Sequence, residues 1–270
     1  MKDTVRLYKE PHPKACDLIA AWPGIGNVAL IVARYLKDKL NAEEIGEIEP
    51  FDFFDPIGVM VKGNVVEAPQ FPESKLYYWH NPNSDRDIVL FIGDEQPSFK
   101  GYELAGCILD VSQKLKVKRI YTCAAAICRI HHTEQPRVWG ATTNEKLLDE
   151  LKKHNVVLRG DIQIAGLNGL FLGVAKERGI EGICLLGEVP AYATRIPSPK
   201  ASLAVLTFLT KILGIGVDLA DLAKLARESE EEMKRLAAEA MGEFIDRYTR
   251  PVWPPDEEEE EDEEDSEEDE

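Results

Sequence analysis

The residues best suited to chemistry sit near expected strand ends. Gly24-Ile25-Gly26-Asn27-Val28-Ala29 matches the G-x-G-x-x-A pattern of nucleotide-binding turns. Backbone N–H groups at such a turn, backed by the positive end of a helix, can hold an anion. The same glycines equally suit a sharp strand-to-helix turn with no ligand. Asp94-Glu95 follows Phe91-Ile92-Gly93, at the carboxyl end of an expected strand, where open α/β sheets place their ligands. Cys123, Cys128, His131 and His132 offer thiols and imidazoles, the ligands of zinc, but not at a common structural-zinc spacing. A cysteine–histidine nucleophilic pair is also conceivable there, though no third, orienting group is identifiable. The plainer reading is two core thiols followed by a loop, residues 129–140, exposing His131, His132, Arg137 and Trp139 as a partner or ligand surface. Asn168 and Glu188 complete the set. One candidate pocket for a ligand or partner is therefore expected from Gly24, Gly26, Asn27, Asp94, Glu95, His131, His132, Asn168 and Glu188. No subset completes a catalytic constellation, and no cofactor or metal is assigned.

The elements that must position these residues read as an α/β alternation. Asp17 to Trp22 is a core strand, and Val28 to Leu40 an amphipathic helix after the glycine turn. Ala42 to Ile48 is a more polar strand. Val59-Met60-Val61 and Val65-Val66 flank Lys62-Gly63-Asn64, a hairpin with an expected three-residue turn, inside an antiparallel insertion over residues 51–80. Lys75 to His80 and Asp87 to Ile92 are strands, Tyr102 to Leu115 a helix and Arg119 to Ala126 a strand of small apolar residues. Asn144 caps a helix ending near His154. The stretch from Gly160 to Gly214 organises the rest: an apolar helix from Gly166 to Lys176, a buried strand from Gly182 to Leu186 ended by Gly187-Glu188-Val189-Pro190, then a helix capped by Ser198 and opened by Pro199. That last helix is apolar almost all round and must be covered by protein. Asp218 begins a long charged helix to about Tyr248. The expected division is a core over 1–216, a C-terminal helix over 217–250 packed on the core or on a neighbouring subunit, and a disordered acidic tail over 251–270.

Composition narrows the function. The net charge of −17 is concentrated at one end: residues 256–270 hold 14 acids and one serine, leaving 35 acids against 32 bases elsewhere. Such a run repels itself and cannot bury enough apolar surface to order. No basic stripe suggests nucleic acid. No apolar run is long enough to span a membrane, and the amino terminus lacks the basic-then-apolar pattern of a signal peptide, so a cytoplasmic location is expected. Five cysteines, mostly inside apolar segments, read as free buried thiols rather than a disulfide framework.

Taken in order, Trp22-Pro23-Gly24-Ile25-Gly26-Asn27-Val28, Phe53-Phe54-Asp55, Gly166-Leu167-Asn168-Gly169-Leu170, Gly187-Glu188-Val189-Pro190 and Ser198-Pro199-Lys200-Ala201-Ser202 resemble the proteasome assembly chaperone 2 family in its archaeal form. The resemblance covers residues 15–225 and rests on the ordered set. It implies an α/β fold of the nucleoside-phosphorylase type: a mixed, mainly parallel central sheet flanked by helices. It also implies a non-catalytic chaperone that helps proteasome α-subunits assemble, and a homo-oligomer. Some members carry a C-terminal hydrophobic-Tyr-any residue tail that docks between α-subunits. Here the sequence ends Glu268-Asp269-Glu270, and carboxylates would carry a desolvation penalty in an apolar pocket, so docking of that kind is not expected. Similar sequences have been described as ATP-grasp-like, but no Mg²⁺-binding carboxylate pair with a phosphate-binding lysine is present. The alternative expectation is a nucleotide- or nucleoside-binding protein or enzyme on the phosphorylase-like scaffold.

Overall fold

The computed structural model describes residues 4–249 apart from 57, 155, 159 and 160. The expected tail over 251–270 lies outside the described residues. The main sheet has eight strands: β1 (Val5–Leu7), β2 (Cys16–Ala21), β3 (Glu43–Ile48), β6 (Ser74–Trp79), β7 (Asp87–Gly93), β8 (Val117–Cys128), β9 (Val138–Thr142) and β10 (Glu181–Pro190). Their order across the sheet is β1-β3-β6-β7-β2-β8-β10-β9. The central strands β7, β2, β8 and β10 run parallel, and antiparallel pairs close both flanks. The fold is thus a mixed α/β layered body with a separate two-stranded hairpin, β4 (Val61–Lys62) and β5 (Val65–Val66).

Residue type explains the layering. Every residue of β2 and β7 is buried, as continuous apolar strands covered on both faces require. Alternate side chains enter different cores. Ile19, Leu90, Tyr121 and Leu185 pack with α1 (Val28–Leu40) and α5 (Pro199–Leu213). Leu18, Phe91 and Ile120 pack with α2 (Gly101–Lys114) and α4 (Leu167–Glu177). The Asn144 side chain accepts from the Leu147 N–H at 3.1 Å, capping α3 (Glu145–Lys152) as expected. Ser198 stands at the N-cap of α5, but its side chain makes no capping bond.

Several local expectations change. β10 does not end at Leu186: it continues through Gly187 to Pro190. Gly187 serves close approach instead, since a Cβ there would lie 2.7 Å from the Ala201 carbonyl oxygen on α5. The segment read as an exposed loop to Gly140 contains the start of β9, which pairs antiparallel with β10. The hairpin turn has two residues, Gly63 and Asn64, both at positive φ (53° and 65°), which suits the right-handed twist of a tight hairpin. Lys75 to Trp79 belongs to the main sheet rather than to a separate insertion.

The last helix, α6 (Ala220–Thr249), begins against the body. Leu222 joins the core of α1 and α5, Ala226 is buried, and the Tyr35 hydroxyl donates to the Asp218 carbonyl at 2.8 Å. By its contacts the chain divides into residues 1–230 and residues from 231 onward. In the second unit Arg235 pairs along the helix with Glu232 and Glu239. Adding one methyl at Gly187 should force β10 and α5 apart: Gly187→Ala is expected to cost about 1–3 kcal/mol, read as a lowered urea midpoint with unchanged m.

Candidate functional site

β2 delivers Trp22, Pro23 and Gly24 to the carboxyl end of the sheet. Trp22 is fully buried and packs on Phe91 and Phe171, with ring centroids 5.0 and 5.5 Å apart. Its peptide is gripped from a distant part of the chain: the Trp22 N–H donates to Asn168 Oδ1, and Asn168 Nδ2 donates to the Trp22 carbonyl, each at 3.1 Å. Gln96 makes the matching bridge, donating to the Pro23 carbonyl at 2.7 Å and accepting from the Leu167 N–H at 2.9 Å. Both amides are thereby consumed in joining three loops.

The glycine turn next to them is built for packing. Gly24 is extended (φ −169°), a conformation open to any residue. Gly26 is left-handed (φ 62°), and a Cβ there would approach the Ser198 Cβ to 3.0 Å. Its carbonyl accepts from the Ser198 N–H at 2.8 Å, and its N–H points to the Thr194 carbonyl at 3.4 Å. The groups that an anion would need at Gly26 are therefore turned to the segment that leads into α5.

These loops enclose a cavity of about 490 Å³. Its floor is Ala124 to Ala126 with Ile127 and Cys128, and Ile25, Trp139 and Ile164 stand around it. No charged side chain among the described residues lines it. Of the expected pocket residues Gly24 and Asn168 border it, whereas Gly26, Asn27, Asp94, Glu95, His131, His132 and Glu188 do not.

The structure distributes the others over separate places. Asp94 and Glu95 border a different groove, with Phe71 and Met60, and Asp94 pairs with Arg34 at 2.8 Å. His132 is buried rather than exposed. Its backbone N–H donates to the Tyr192 hydroxyl at 2.8 Å, and its carbonyl accepts from Lys200, which also binds Glu230. The His131 and His132 rings lie 4.0 Å apart. Among the described residues no three histidines, cysteines or carboxylates come together as a metal site. A single pocket holding all nine residues is thus not formed, because their strands end at different points across a broad sheet.

Glu188 is the most constrained of them. It is 1% exposed and accepts from the Arg137 guanidinium, the Arg137 N–H at 2.9 Å and Trp139 Nε1 at 2.9 Å. Burial alone would raise its pKa; the Arg137 and Trp139 bonds overcome burial and hold the carboxyl below its ordinary value of 4.5. Trp139 is consequently a half-buried strand residue, not an exposed loop residue. Cys128 also bonds the Glu188 carboxylate. Burial first, and that carboxylate second, push its thiol pKa up. A nucleophilic cysteine needs the opposite shift, so the geometry does not favour a cysteine–histidine pair. Cys123 is fully buried and raised further by desolvation.

The lining residues that sequence reasoning passed over include Gln96 and the three alanines, while Trp139 was read as part of an exposed loop surface. The signal available for them was the run of alanines in a central strand. Glu188 offers a pH test. Its folded pKa is depressed, so its stabilisation is complete above about pH 4.5 and fades as pH falls through the lower folded value. Glu188→Gln should therefore cost about 1–3 kcal/mol at pH 7, and the gap to wild type should narrow toward pH 3.5 in urea titrations.

Comparison with known proteins agrees with this architecture. PbaB of Pyrococcus furiosus, described as an archaeal proteasome activator, is 32% identical and superposes with a TM-score of 0.75, over 87% of this chain and 98% of its own. A proteasome-assembly chaperone homologue of Mycobacterium tuberculosis is 25% identical, with a TM-score of 0.70 over 81% of this chain and 94% of its own. An uncharacterised protein of Methanocaldococcus jannaschii is 29% identical over 244 residues, 87% of this chain and 89% of that one. The PAC2 family model matches residues 18–237, and the chain belongs to the PAC2 family.

Proposed function

We propose that this protein is a non-catalytic proteasome-assembly factor that works in the cytoplasm through contacts with proteasome α-subunits and through self-association. The observation that carries the reading is the 32% identity to PbaB, which extends over nearly all of that archaeal proteasome activator. The likeness to a proteasome-assembly chaperone homologue adds to it. The chemistry of the site is in keeping. Glu188, Asp94 and His132 are each engaged with side-chain or backbone partners of the body, and the nine candidate residues do not converge on one pocket.

A factor of this kind needs apolar surface to offer. The β4–β5 hairpin supplies it: Met60, Val61, Val65 and Val66 are 58–68% exposed. An isolated two-stranded hairpin is marginal in water, and monomers rarely leave such a patch uncovered. We assign this hairpin to the α-subunit contact. Self-association is assigned to the second unit, residues 231 onward, through apolar helix positions such as Leu236 and Met241.

The alternative, a nucleotide- or nucleoside-binding protein or enzyme, has less support for a phosphorylated ligand, because among the described residues no lysine or arginine lines the cavity to meet a phosphate. Tagged protein incubated with purified α-subunits should retain them, and Val61→Asp/Val65→Asp should reduce capture more than about tenfold, equivalent to about 1.4 kcal/mol. Failure of the unaltered protein to retain α-subunits or assembly intermediates would sink the assignment.

A further inference from the structure

The cavity at the carboxyl end of the sheet has features that an assembly role does not use. β2 pairs with β8 only as far as Ala20 opposite Thr122, whereas β10 continues beside β8 to Cys128. Beyond Thr122 the β2-facing edge of β8 thus has no strand beside it. Ala124 to Ala126 border the open space there and are half-buried, although they lie on a central strand of an eight-stranded sheet. Central parallel strands normally carry Val, Ile or Leu buried on both faces. The cavity occupies the volume that such side chains would fill. Its walls are held apart by the Asn168–Trp22 and Gln96–Pro23/Leu167 bonds, so it does not depend on a guest to form. Water against apolar walls makes few hydrogen bonds and is readily displaced by an apolar group.

We propose that this cavity is a binding site for an uncharged heteroaromatic small molecule, a ring system carrying neither phosphate nor carboxylate. Three observations select that class. A volume of about 490 Å³ lies within the range of small-molecule sites and exceeds the need of a single benzene ring. Among the described residues no charged side chain lines the cavity, so none there supplies a counter-ion to offset the desolvation of an anion. The open edge of β8 presents peptide N–H and C=O groups to a ring with a polar rim, while the alanine methyls and Trp139 meet its apolar surface. This inference stands apart from the proteasome reading: neither needs the other.

Cys128 gives a direct readout, because of the five cysteines it alone lines the cavity; Cys107 on α2 is half-buried elsewhere. The probe is indole, with indole-3-acetate as its charged counterpart. The full chain is treated with N-ethylmaleimide, and modification of each cysteine is followed by mass spectrometry. Indole at about three times its Kd is expected to slow Cys128 modification about fourfold, with Cys107 unchanged and indole-3-acetate without effect. Ala126→Leu, or the gentler Ala126→Val if the first fails to fold, should abolish the protection in folded protein. No protection by millimolar indole, equal protection by indole-3-acetate, or protection that survives the cavity-filling variant would each overturn the proposal.

Discussion

The double hydrogen bond between the Asn168 side chain and the Trp22 backbone holds the carboxyl end of the sheet together. A primary amide is a neutral side-chain group that can imitate a neighbouring strand, donating and accepting in parallel. It is used here where β2 has run out of backbone partners and the peptide of Trp22 is buried. A buried peptide left unpaired is costly, so this pair ties the start of α4 to the end of β2. The indole of Trp22 then fixes two more neighbours, Phe91 and Phe171, and demands a residue without a side chain at Gly93, where a Cβ would lie 2.6 Å from the ring. The walls of the cavity, the glycine turn and the entry to α1 all take their positions from this point.

On the opposite side, Glu188 does comparable work with charge. A carboxylate 1% exposed is tolerated because guanidinium, indole and backbone donors surround it. Those donors lie in the segment before β9 and on β9 itself. The edge strand and the chain preceding it are thereby anchored to the sheet's interior. Both devices use polar groups for architecture. Asn168 and Glu188, residue types common in active sites, are engaged here in joining distant parts of the chain.

The sequence made the core strands legible and the site only partly so. β2, β7 and the first half of β10 are unbroken apolar runs, which periodicity detects directly. β9 escaped notice because Val-Trp-Gly-Ala-Thr is short, half-exposed and follows a proline. The extension of β10 was hidden by Gly187 and Pro190, which read as strand breakers. One is there for the close passage of α5, and the other ends the strand. Asn168 and Glu188 stood out by type, but their partners are 146 and about 50 residues away, and no local pattern encodes such distances. Asp94 and Gly24 were rightly placed at strand ends, yet proximity to the same sheet edge did not bring them into one pocket. The membership of the family, in contrast, was carried by the ordered motifs themselves.

The hairpin has a colloidal consequence. Its valines face solvent on a protein whose calculated isoelectric point is about 4.8 and whose formal charge at pH 7 is −17. Mutual repulsion between molecules of that net charge opposes contact between such protrusions at neutral pH. As acidity approaches the isoelectric point, that repulsion vanishes while the valines stay as they were. High salt shortens its range to a few ångströms with the same result. Acidity and salt, and not only binding partners, therefore bear on contacts between the hairpins of different molecules.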